Sequence, residues 1–544
     1  MVPPRLFLAA ALVLPLSDAL AQSSNPALRA TDTTPRVAIQ QRPGLPVSQR
    51  VASGASPFAP NCGDNPAAAN IGAEVEPYVA INPTNPANVI GVWQQDRYSS
   101  GGASRGLMTG VSFDGGNTWS PRSIPWSQCS GGEYQRATDP WVTFSPDGTA
   151  HQIALGVSGG DFTPDAVSAI LASRSTDGGI TWSSPATLLR NEGSQFFNDK
   201  ESITADPTDS RFVYAVWDRL QNNAGGPTIF TRTTDGGITW EPARSIHTPP
   251  SSGQTIGNVI RVLPDGTLVN LFTQIVGTIQ TLQVIRSADR GVSWSAPSQI
   301  SLLGSLGARD PNTGTPIRDG AILPQMAAGP DGSLAVVWQD ARFTGVRDAI
   351  ALSRSFDRGL TWTTPVRVNF DPTVWAFTAQ VHVRADGMIG VTYYDLRSNT
   401  ASTATLPTDF WLARSRDGVQ WTETRISEPF DLLFAPRASG QLFLGDYTGL
   451  DANGGAFLPF FAKANPDVNN RTDIIAARTG PAALLTLKRV EDAPAESPYR
   501  AQVLGTAPMP AEFWREVAAN TARAMETRVP GWSRARGPQP GPVR

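Results

Sequence analysis

A short element recurs along this chain and constrains its fold more than anything else in it. It first reads Ser112-Phe-Asp114-Gly-Gly116-Asn-Thr118-Trp119. It returns from Ser175 to Trp182, from Thr233 to Trp240, from Ser287 to Trp294 and from Ser355 to Trp362. A sixth copy, Ser415-Arg-Asp417-Gly418-Val-Gln-Trp421, is one residue short. The Asp positions fall 54 to 68 residues apart. In such a turn the carboxylate accepts backbone N–H groups, Gly permits positive φ and the hydroxyls add local bonds. The Trp opens the following strand and is expected to plug the gap between neighbouring sheets.

Two further landmarks define the rest of the unit. Pro/Asp/Gly turns break apolar β-rich runs at Asn82–Asn85, Ser145–Gly148, Asp206–Asp209, Leu263–Gly266, Gly329–Gly332, Arg384–Gly387 and Leu450–Gly454. Arg followed by Ser or Thr closes the third strand at Arg174, Arg232, Arg286, Arg354, Arg414 and Arg478. Each unit therefore reads as four antiparallel strands, and their radial repetition is a β-propeller blade. The expected fold is all-β: six complete units plus a seventh, Leu442 to Thr479, that lacks one strand. An N-terminal strand at Pro35 to Gln41 would complete it and close a seven-bladed ring. Six blades with a capping sheet is the alternative.

Outside the repeats, Arg5 and the apolar run Leu6 to Leu16 precede Ala19-Leu20-Ala21, the pattern of a leader cleaved near Ala21. The expected organisation is a leader over 1–21, an N-terminal segment over 22–72, the propeller over 73–480 and an extension over 481–544. In that extension Pro510 to Val529 has helical periodicity and is expected to dock on the propeller, ahead of a loose tail. Export to the periplasm or the medium follows. Cys62 and Cys129, the chain's two cysteines, fall on one rim, and a disulfide is expected over free thiols. With 44 Lys and Arg against 47 Asp and Glu, the chain lacks the basic excess of a nucleic-acid binder. No run is long enough to span a membrane as a helix. A monomer is expected.

The boxes, their spacing and their place between third and fourth strands resemble the sialidase superfamily of Asp-box (BNR-repeat) propellers. That resemblance implies a site on the face opposite the boxes, where first strands begin and second strands end. First-strand starts there supply Glu76, Asp139, Glu201 and Asp446 beside Tyr447; second-strand ends supply Arg97, Arg219, Arg342 and Arg397. Sialidases use a Tyr nucleophile, a Glu that polarises it, an Asp acid/base and three Arg on the substrate carboxylate. Tyr447-Thr448-Gly449-Leu450 resembles their Tyr motif, so the resemblance makes Tyr447 the nucleophile, with Glu201 and Asp139 as acid/base candidates. The positions matching the family's Glu and a clamp Arg read Asn258 and Gln274, and the rim arginines would substitute. The expected function is a sialidase-like glycoside hydrolase acting on a carbohydrate or glycoconjugate. A polysaccharide lyase and a non-catalytic glycan- or protein-binding propeller are the alternatives. No cofactor is required, although repeated strand-start acids are also the oxygen ligands that Ca²⁺ takes.

Overall fold

The computed structural model describes residues 47–480 except 101, 223 and 224, and residues 498–529 with 532. The leader, the strand expected at Pro35 to Gln41 and the C-terminal tail lie outside them. Seven antiparallel units of four strands are present among the described residues, the first two joined into one sheet by the Ser104–Ala137 pair and the sixth extended by a fifth strand. Their first strands are Glu74–Ile81, Arg136–Phe144, Phe196–Ala205, Gln254–Val262, Gln325–Ala328, Ala376–Val383 and Gly449–Asn453. Each first strand packs on the next, and the seventh packs on the first. The outer strand of the seventh sheet is Val47–Val51, antiparallel to Ile475–Thr479. The chain's beginning thus completes a sheet that its end starts, six residues beyond the expected strand. No helix among the described residues is long and apolar enough to cross a membrane.

The repeated turn is held as its residue types require. In the first copy Gly116 N donates to Ser112 Oγ (2.8 Å), while Asp114 accepts from Thr118 N (2.9 Å) and Thr118 Oγ1 (2.7 Å). Trp119 Nε1 then donates to Gly116 O at 3.1 Å, and Trp182 and Trp421 repeat that bond. These indoles are buried less than expected. Trp421 is fully enclosed, but the other five remain partly open because the rim there has no further layer. Trp119 still bridges two sheets, meeting Phe460 of the seventh at 5.4 Å.

A second device positions the site. Five of the seven first strands carry a register shift, at Glu76, Asp139, Lys200, Gly257 and Thr378, each with φ between 51° and 73°. Such bulges re-aim side chains, and residues other than Gly held at positive φ store strain of about 1–3 kcal/mol each. The strand ends are thereby turned together at one end of the sheets.

Between the sheets, Leu306, Ala308 and Ile317 join a core cluster with Phe513 and Val517 of helix α1, Ala511–Glu526. A disulfide joins Cys62 to Cys129, with Cα atoms 5.4 Å apart.

Candidate active site

Lys200 is the centre of the site. Its ammonium lies 2.8 Å from Asp446 Oδ2, 3.1 Å from Asp139 Oδ1 and 3.4 Å from Glu76 Oε1. These side chains come from the bulges of the first three sheets and from the segment Leu444–Thr448 that enters the seventh. Two glycines allow the approach. A Cβ on Gly445 (φ 134°) would sit 2.7 Å from Glu76 N, and one on Gly320 would sit 2.7 Å from Asp446 O. Asp446 N donates to Glu76 Oε1 at 3.2 Å.

Arg318 and Arg528 complete the group, neither marked by a motif. Arg318 holds Asp446 through two bonds of 3.1 and 2.7 Å, the fork geometry suited to a carboxylate. It lies on the two-residue strand Ile317–Arg318, which pairs in parallel with Leu442–Phe443. Arg528, just beyond α1, reaches Asp446 at 3.0 Å and Asp199 at 3.6 Å. Arg97 lines the same cavity, bonds Ala103 O and stacks over Phe443 at 5.3 Å. Burial is the largest influence on Arg97, and with the nearby Arg318 charge it lowers its pKa to about 10.

The acids are driven apart in pKa. Burial raises Asp139, but Lys200 and a hydrogen bond with Glu76 outweigh it and hold Asp139 at about 2. Burial lifts Glu76 to about 8 against the pull of Lys200. Asp199 is lifted to about 6 by burial, again against Lys200. Asp446 is buried too, yet Arg318, Lys200 and Arg528 hold it well below the usual carboxylate range. Glu201 is pushed well above that range, by burial and then by the Asp139 charge, and neither of its carboxyl oxygens has a partner. A buried carboxyl without a cation keeps its proton.

Tyr447 lies in the same wall, its ring 5.5 Å from Trp141 and 5.8 Å from the Lys200 ammonium. Its hydroxyl donates to Pro140 O at 3.3 Å. Burial, and then the acids Glu76 and Asp139 beside it, push its pKa well above 10, opposite to the activation a tyrosine nucleophile needs.

The first-strand reading therefore converges, with Glu76, Asp139, Glu201, Asp446 and Tyr447 in one buried group. Of the four rim arginines only Arg97 lines this cavity. Arg342 folds back on Asp340 (2.5 Å) and on Leu302 O, and Arg397 on Asp395 (2.6 Å) and Glu423 (2.9 Å) over the Trp411 ring. Arg219 covers the Phe196 ring at 4.6 Å. Asn258 bonds Asp218, Thr228 and Asn270, and Gln274 bonds His247 at 2.8 Å. Among the described residues no group of three or more His, Cys, Asp and Glu is arranged to hold a metal ion; three of the site's acids surround an ammonium instead.

Residues 101–302 match the family model of a BNR repeat-like domain. Comparison with curated proteins gives no match. Among solved structures the chain is similar to the α-L-arabinofuranosidase Arb93A of Fusarium graminearum, at 12% identity over 80% of this chain and 99% of that one, with a TM-score of 0.42. It is also similar to the α-L-arabinanase of Penicillium chrysogenum, at 13% identity over 74% and 93%, with a TM-score of 0.39. A third is the NanB sialidase of Streptococcus pneumoniae, at 13% identity over 79% and 70%, with a TM-score of 0.38.

Proposed function

We propose that the seven sheets are the blades of one closed β-propeller whose mouth hydrolyses glycosidic bonds outside the cytoplasm. One observation carries the reading: Asp139 lies 3.1 Å from the Lys200 ammonium while neither carboxyl oxygen of the equally buried Glu201 has a partner, an arrangement that favours the ionised form of the first and the protonated form of the second. Acid/base pairs are assigned by environments that separate their pKa values, and glycosidases need one of each. Glu201 protonates the leaving oxygen. Asp139 supplies the carboxylate that meets the sugar or activates water, and Lys200 keeps it ionised. Tyr447, with Trp141 and Tyr78, forms an aromatic wall of the sugar site; Tyr78 stacks on Trp141 at 3.9 Å.

The same geometry favours a neutral sugar over sialic acid. Arg318 and Arg528 are both committed to Asp446, which leaves Arg97 rather than three guanidinium groups for a substrate carboxylate. The Cys62–Cys129 disulfide supports action in an oxidising compartment. The test is a panel of neutral aryl glycosides, arabinosides and hexosides, run beside an α-sialoside. Turnover of a neutral member that is lost in Asp139→Asn supports the reading. Turnover of the sialoside alone rejects the neutral sugar, and an ultraviolet-absorbing product from a uronate polymer in place of hydrolysis rejects the hydrolase.

A further inference from the structure

The acids at the mouth are enclosed by the chain itself. Glu76, Asp139, Lys200, Glu201, Asp446 and Tyr447 are all less than a tenth exposed. A cavity of about 60 Å³ reaches Asp139 and Lys200 of this group, and Thr527 and Arg528 form part of its lining. Pockets for small-molecule ligands commonly run to ~300–1,000 Å³, so no sugar ring reaches Asp139 through this cavity in this arrangement. What fills the entrance is the end of α1 and the residues after it. Met525, Val529 and Trp532 join Trp141, Phe197 and Tyr447 in one buried apolar cluster, and Arg528 passes inward to Asp446 and Asp199.

We propose that α1 with Arg528 is an inhibitory cover over the mouth, released as a unit. The inference rests on the mouth being the substrate site and adds to it a closed resting state.

The chain around α1 is built for release. Tyr499–Arg500 pairs with Gln420–Trp421 of the sixth sheet, and Leu504 N donates to Pro365 O, so the chain is tethered just before the helix. Gly505–Pro510, mostly exposed, then joins that tether to α1. No side chain caps the helix start at Pro510. The helix face turned inward is mixed, with Asn520 and Thr521 buried among Phe513, Val517 and Met525. Asn520 lies against the backbone of Ser305–Gly307. Polar side chains set among the apolar ones are what interfaces between domains that move on one another also carry.

Arg528 is the pin. Lifting it leaves Asp446 still paired to Arg318 and Lys200, and leaves Asp199 with the attraction of the Lys200 charge. A site that is open only part of the time works at its intrinsic rate multiplied by the open fraction, so weakening the pin raises turnover by the same factor as the open population.

The experiment uses the full chain as wild type, Arg528→Ala and Phe513→Ala, the last loosening the far end of α1 without touching a charge. Hydroxyl-radical labelling is read at Met525 and Phe197, with Trp217 in the core of the third sheet as reference. The expected result is at least tenfold faster labelling of Met525 and Phe197 in both variants, Trp217 unchanged, and a matching rise in aryl-glycoside turnover. The same labelling without turnover of any glycoside upholds the cover and removes the hydrolase reading. Labelling as slow as in the wild type, or labelling that appears only together with Trp217, overturns the cover, because α1 is then a fixed part of the fold.

Discussion

Replacing Lys200 with Met removes the ammonium that pairs directly with Asp139, Glu76 and Asp446, and keeps a long, unbranched side chain at the same strained backbone position. Breaking a buried ion pair from one side costs about 3–5 kcal/mol. Asp446 retains Arg318 and Arg528, and Glu76, at about 8, is mostly protonated at pH 7 already, so the cost falls mainly on Asp139. The pH dependence is the sharper signature. In the wild type Asp139 titrates at about 2, below its unfolded value of ~3.9. Its contribution is therefore present above pH ~4 and lost as the pH falls toward 2. Without Lys200, burial, already the largest single influence, is no longer outweighed and the folded pKa rises above the unfolded one. The sign then reverses: the group is best tolerated below pH ~4 and destabilises as the pH rises. One proton taken up on folding changes stability by ~1.4 kcal/mol per pH unit. Between pH 7 and pH 5 the deficit of Lys200→Met should thus shrink by about 2–3 kcal/mol. Guanidinium unfolding of both proteins at the two pH values measures it. A deficit of the same size at pH 5 and pH 7, or none at pH 7, refutes the account of how Asp139 is kept ionised.

Three other outcomes follow from the same contacts. Glu201→Gln should change stability by less than about 1 kcal/mol, because the carboxyl is already neutral and unpartnered, while glycoside turnover falls by the ~10²–10⁴ that a general acid supplies; unfolding midpoints and steady-state rates check both halves. Tyr447→Phe removes one 3.3 Å bond to Pro140 O and should cost about 1 kcal/mol at most, with turnover kept within about tenfold; a loss beyond about a thousandfold would make Tyr447 the nucleophile after all. Reducing Cys62–Cys129, which closes a loop spanning 67 residues, should cost about 4 kcal/mol if chain entropy dominates, read as a lower unfolding midpoint with dithiothreitol than without.

The repeated turns and strand breaks were legible because they are local: a Ser/Thr-x-Asp-x-Gly turn needs only its own residues to form. The acids at first-strand starts were legible for a related reason, since repetition brings equivalent strand ends together. Pairings over long sequence distance were not. Lys200 sits between Asp199 and Glu201, where its charge alone gives no sign that three acids from other sheets will surround it. Arg318 lies in the long connection between the fourth and fifth sheets, and Arg528 lies past a helix outside the repeats. Arg342 and Arg397 stay away from the cavity for a local reason: in Asp340-Ala-Arg342 and Asp395-Leu-Arg397 a two-residue offset at a strand end lets the guanidinium fold back on its own Asp. The closing strand was placed too early because the seventh sheet takes whichever N-terminal run reaches it, and the register with Ile475–Thr479 belongs to Val47–Val51.

The assignment of Glu201 as acid and Asp139 as carboxylate can be tested by changing the leaving group. A dinitrophenolate leaves without protonation, whereas an alkoxide or a plain phenolate needs the acid. Rates for both kinds of glycoside, measured with Glu201→Gln and Asp139→Asn in the Arg528→Ala background, decide the matter. The account predicts that Glu201→Gln keeps most of its rate on the dinitrophenyl glycoside and loses it on the other, while Asp139→Asn loses both. Equal losses on the two substrates with Glu201→Gln would contradict it.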